Sequence, residues 1–72
     1  MVQVVFVNNK PSSAYLQGWD GHKDIKLDAV RFMKAINKKK VKDFNIEQDD
    51  EDIKVVNYQV DKHWVLEFYG NF

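Results

Sequence analysis

Residues 27–40 (LDAVRFMKAINKKK) carry the clearest periodic signal in the chain, and a short chain has to be built around it. With Leu27 at the origin of a helical wheel and about 100° per residue, Phe32, Ile36, Ala29, Met33 and Val30 share one half. Arg31, Lys34, Lys38 and Lys39 share the other. Asp28 suits the N-cap. That choice puts Leu27 at N′ and Phe32 at N4, the spacing of a hydrophobic staple. Lys38, Lys39 and Lys40 follow in the last turn, where cations complement the carbonyl end of the helix dipole. Lys40 returns to the apolar side of the wheel, so the helix should stop near it.

The remaining segments read as extended chain. Residues 2–7 (VQVVFV) alternate well enough for a strand, with Val2, Val4 and Phe6 on one face and Val5 and Val7 on the other. Residues 8–13 (NNKPSS) carry turn chemistry. Residues 14–19 (AYLQGW) suit a returning strand better than a helical turn, because Gly18 and Trp19 are poor helix formers. Ile25 and Leu27 alternate with polar neighbours as an extended lead-in to the helix. Val41, Phe44 and Ile46 should cover an end of the core. Residues 47–52 (EQDDED) hold five acids in six positions, and like-charge repulsion predicts a solvated loop. Residues 53–60 and 64–70 read as two strands around Asp61 and Lys62. A three-residue loop through His63 gathers Val56, Tyr58, Val60, Trp64, Leu66 and Phe68 on one face.

The sum is an α+β fold, ββαββ, with a mainly antiparallel sheet and the helix packed on one face. Its 72 residues suffice for a single small domain spanning 1–72. Chains this short often need a disulfide or a metal, and this one has no cysteine. Ten aromatic side chains, 14% of the residues, compensate with large burial per side chain. There is no apolar run long enough for a membrane span and no signal-peptide pattern, so the expected location is cytoplasmic. Lysine outnumbers arginine ten to one, a bias that suits a low-GC microbe or a mobile element.

Catalytic chemistry finds little support in these residues. Ser12 and Ser13 sit in no G-x-S-x-G setting. His22 and His63 lack the spacing of a metal pair. Glu67 has no second carboxylate placed for acid–base work. Gly18, Gly21 and Gly70 form no phosphate cradle, and the acidic run lacks the glycine of a calcium loop. The expectation is therefore a non-enzymatic chain without cofactor, metal or small-molecule substrate.

Binding is the better use of this composition. With the helix on one sheet face, Val5, Val7, Val65 and Tyr69 are left on the other, and Tyr15, Trp19 and Phe72 have no assigned place. Contiguous exposed apolar area marks interfaces, and Tyr and Trp are common anchors there. Tyr15, Trp19, Val65 and Tyr69 are the expected protein-binding residues, serving a modulator or inhibitor whose partner is another protein or a second copy as a homodimer. A basic helix end and an acidic loop would orient that partner. The alternative is a nucleic-acid binder using Arg31, Lys34, Lys38 and Lys39. A formal net charge of zero and a single arginine weigh against it.

Overall fold

The computed structural model describes residues 1–17 and 23–69, with the side chains of Lys62, Phe68 and Tyr69 excepted. Along the chain, β1 (Val2–Val7), β2 (Lys10–Leu16) and β3 (Ile25–Leu27) lead into α1 (Ala29–Lys39). Then come β4 (Phe44–Asp49), β5 (Ile53–Tyr58) and α2 (Lys62–Tyr69). The fold is α+β. Five strands form one sheet in the order β3-β2-β1-β5-β4, and every pairing is antiparallel.

Asp28 caps α1 as its sequence position requires. Its side chain accepts the Arg31 backbone N–H at 3.0 Å. Leu27 and Phe32 are both buried in the core, where the staple would hold them. The helix closes at Lys40, which takes left-handed φ and ψ of 54° and 44°. The Lys40 and Val41 N–H groups turn back to the carbonyls of Asn37 and Ile36, each at 3.2 Å. This is a Schellman closure, with Ile36 in the core and the partly buried Val41 packed against it.

The β1–β2 turn is tighter than six residues. Asn8 and Asn9, at φ of 51° and 66°, make it alone, because Asn tolerates the two positive φ values of a two-residue hairpin. Lys10 to Ser13 join β2 instead. Pro11 is accommodated because β3 pairs only with Ala14 to Leu16, leaving this end of β2 at the sheet edge next to a bulge.

Two larger expectations are corrected. The segment expected as a last strand, 64–70, is α2 over Lys62–Tyr69. Asp61 starts it, its carboxylate accepting the His63 N–H at 3.1 Å and its carbonyl the Val65 N–H at 3.2 Å. The apolar run Trp64-Val65-Leu66 satisfies a strand period and a helix period alike, and the cap decides between them. The strand beside β5 is β4, so part of the expected acidic loop, Glu47 to Asp49, is strand. Only Asp50 to Asp52 are left to turn the chain, with the Asp50 N–H on the Ile53 carbonyl at 2.8 Å.

Register sorts the two faces. Val2, Val4, Ala14, Leu16, Leu27, Val56 and Tyr58 lie on one face and form the core with Ala29, Phe32 and Ile36 of α1 and Val65 of α2. Phe32 is fully buried at its centre. Its ring meets Tyr58 edge-on, centroids 6.0 Å apart at 68°, and Trp64 at 6.4 Å and 53°. Lys39 Nζ lies 4.9 Å over the outer side of that system, at the Trp64 ring.

Left-handed backbone disfavours a side chain with a Cβ by roughly 1–2 kcal/mol. Lys40→Gly should therefore stabilise the fold by about 1 kcal/mol, read as a raised denaturant midpoint at unchanged slope. An unchanged or lowered midpoint would mean that Lys40 supplies compensating interactions at the helix end.

Candidate protein interface

β4 is a free sheet edge. All six of its residues are exposed, including two large apolar ones, Phe44 and Ile46, at 47% each. Both lie on the helix-bearing face, since Phe44 pairs with Tyr58 and Ile46 with Val56. The Phe44 ring stands 5.5 Å from Tyr58 at 44°. Phe44 thus continues the aromatic series Trp64, Phe32, Tyr58 out to the molecular edge.

A shallow cavity of about 230 Å³ opens beside this strip. Phe6, Phe44, Val56 and Tyr58 wall it, and Asn9 and Lys54 stand at its polar side. Sites for drug-sized ligands run to roughly 300–1,000 Å³ and enclose most of the ligand. This cavity is smaller, with room for about one large side chain. Of the residues lining it, Tyr58 is itself buried, and that burial raises its phenol above the ordinary pKa.

The backbone of β4 is available as well. The Gln59 N–H donates to the Asp43 carbonyl at 2.8 Å. In the alternating antiparallel pattern Asp43 and Asn45 therefore turn their peptide groups toward β5, and Phe44 and Ile46 turn theirs outward. The register shifts between Ile46 and Gln48, so Glu47 is a bulged residue that ends the regular edge. Gln3 Nε2 donates to Glu47 Oε2 at 3.1 Å. Because β5 lies between β1 and β4, this bond bridges β5 on the face away from the helices. Val55 and Asn57 are buried on that face, and the Asn57 Oδ1 has no hydrogen-bond partner.

Of the residues expected to bind protein, the structure describes Tyr15 and Val65 in full. Val65 is fully buried in the core, because its segment is a helix lying on the sheet rather than an exposed strand. Tyr15 is half-buried on the far face, opposite Gln3 and Lys26. Trp19 and the side chain of Tyr69 lie outside the described residues, as do His22 and Phe72. Val5 and Val7 do occupy the far face as their phase requires, with Val7 exposed. Arg31, Lys34, Lys38 and Lys39 are all exposed on α1. Phe44 and Ile46 do not close the core; they form the exposed edge. Their signal was the alternation Phe44-Asn45-Ile46-Glu47, which the acids that follow obscure.

No helix among the described residues is long and apolar enough to cross a membrane. Among them, no three His, Asp or Glu side chains are grouped to hold a metal ion. Compared with protein-family models, with curated proteins and with solved structures, the chain matches none.

Two outcomes follow from this site. Tyr58 holds its proton more firmly folded than unfolded, so its contribution is complete below the ordinary phenol pKa of about 10 and is lost as pH rises through the raised value. Denaturant midpoints measured across the alkaline range should fall less steeply for Tyr58→Phe than for the wild type; identical slopes would refute the assignment. Asn57→Val removes an unsatisfied buried acceptor from a strand, and unfolding should show a gain of about 1 kcal/mol. A loss would show that the Asn57 amide is bound to something the fold needs.

Proposed function

We propose that this chain is a protein-binding module, a modulator or inhibitor that works by recognition rather than catalysis, and that β4 is its working edge. One observation carries the reading: Phe44 and Ile46 stand half-exposed, side by side, on an edge strand paired on one side only, with their peptide groups turned outward. Adding a strand supplies backbone hydrogen bonds, and pockets for alternate side chains supply selectivity. The cavity between Phe6, Phe44 and Tyr58 offers such a pocket. Apolar anchors on a strand edge are what a soluble domain avoids unless they are covered.

The far-face residues Tyr15, Val5 and Val7 form a second, more polar surface, interrupted by the Gln3–Glu47 bridge, and support the reading less well. The nucleic-acid alternative rests on the exposed row Arg31, Lys34, Lys38 and Lys39. It requires binding that falls steeply with salt and disappears when Lys34 and Lys38 become glutamate.

A library of extended peptides selected against the chain tests the leading reading. Selected peptides should shift the backbone amide signals of Phe44 and Ile46, and should bind Ile46→Asp at least about tenfold more weakly, a difference of ~1.4 kcal/mol. Peptides that bind the variant equally well would remove β4 from the function. DNA that comigrates at low salt and releases at high salt would transfer the function to α1.

A further inference from the structure

We propose that the occupant of the β4 edge is a second copy of this chain, paired antiparallel through β4 about a two-fold axis to give one continuous ten-stranded sheet. This inference rests on the reading of β4 as the binding edge and names its partner.

The argument begins with charge order along the edge. Lys38, Lys39, Lys40 and Lys42 precede β4, and Glu47, Asp49, Asp50, Glu51 and Asp52 lie in its second half and the turn after it. All nine are exposed. Along the chain, the approach to β4 is therefore net positive, four lysines against Asp43, and its second half and the turn after it are net negative, with Phe44 and Ile46 between. A parallel copy would set like charges together. An antiparallel copy sets each basic end against an acidic end, twice, as a two-fold axis requires. The formal net charge of zero leaves no overall repulsion between copies.

The backbone fits the same arrangement. With the axis at Asn45, Phe44 of one copy faces Ile46 of the other, and both residues turn their peptide groups outward. Each such pair exchanges two hydrogen bonds, and the aromatic and β-branched side chains become cross-strand neighbours on the helix-bearing face. On the other face Asp43 would meet Glu47, but the Gln3 bond draws the Glu47 carboxylate back over β5. The bulge at Glu47 limits the ladder to its central residues. The opposite sheet edge, β3, has three residues, too few to propagate the sheet. The assembly therefore closes as a dimer and does not grow into a fibre.

Two charge-reversed variants test the proposal, chosen to spare Lys39 on Trp64 and Lys40 at the helix end. One carries Lys38→Glu and Lys42→Glu, the other Asp49→Lys and Glu51→Lys. Sedimentation of the wild type over a wide concentration range should show a monomer–dimer equilibrium that weakens as salt rises. Each variant alone, checked for native circular dichroism, should dimerise at least tenfold more weakly. An equimolar mixture should recover the wild-type affinity, because both contacts then join opposite charges. A wild type that stays monomeric, variants that dimerise as well as the wild type, or a mixture that fails to recover would each overturn the dimer. If the wild type is monomeric while selected peptides still shift the Phe44 and Ile46 amides, the dimer fails and the binding edge stands. If peptides also ignore that edge, both fail.

Discussion

The rest of this structure depends on the burial of Phe32. A helix of 11 residues and another of eight sit on a narrow sheet, and the ring of Phe32 touches both the sheet, at Tyr58, and the second helix, at Trp64. Removing so large a buried side chain typically costs about 3–5 kcal/mol, a large share of the stability of a domain this small. The N-cap at Asp28 and the closure at Lys40 matter because they fix where along α1 that ring falls. With the helix ends set, Phe32 has one place to go.

The same aromatic series explains why the edge strand is not merely decoration. Phe44 contacts Tyr58, and Tyr58 contacts Phe32. The exposed edge is thus coupled by direct packing to the largest fully buried side chain among the described residues. β4 is held by one neighbour only, yet its best anchored side chain leans on the core. The acids around it keep a lone edge soluble, while the bulge at Glu47 and its bond to Gln3 shorten the stretch that another strand could join.

Local rules made most of α1 legible in the sequence, with Val30 the exception: it shares the apolar half of the wheel yet is 51% exposed. Cap, staple, apolar face and cationic last turn all lie within one short window, and each obeys a spacing that needs no knowledge of the rest of the fold. β1, β5 and the lead-in strand β3 were legible for the same reason, through alternation and β-branched residues. The α+β class followed from them. α2 was not legible, because Trp64-Val65-Leu66 fits either period and the deciding feature, the Asp61 cap, resembles a hairpin turn when the next run is taken as a strand. β4 was hidden by its charge: Glu47 and Asp49 suggest solvent, and an edge strand is itself solvated. That exchange of roles between two segments changed which apolar side chains are exposed. It moved Val65 to an exterior it does not occupy and sent Phe44 and Ile46 to a core they do not close.

The strand order has a kinetic consequence. β1 is first among the strands in sequence and central in space, with β2 on one side and β5 on the other. The β1–β2 and β4–β5 hairpins each close over short loops and can form early, but neither covers Phe32 alone. They are joined by the β1–β5 ladder, in which Val2 meets Tyr58 across most of the chain. Closing so long a loop is entropically unfavourable until the helix face is ready to receive it. The β1–β5 ladder is therefore the pairing with the largest loop to close, and during synthesis that edge of β1 has no strand to pair with until β5 has emerged.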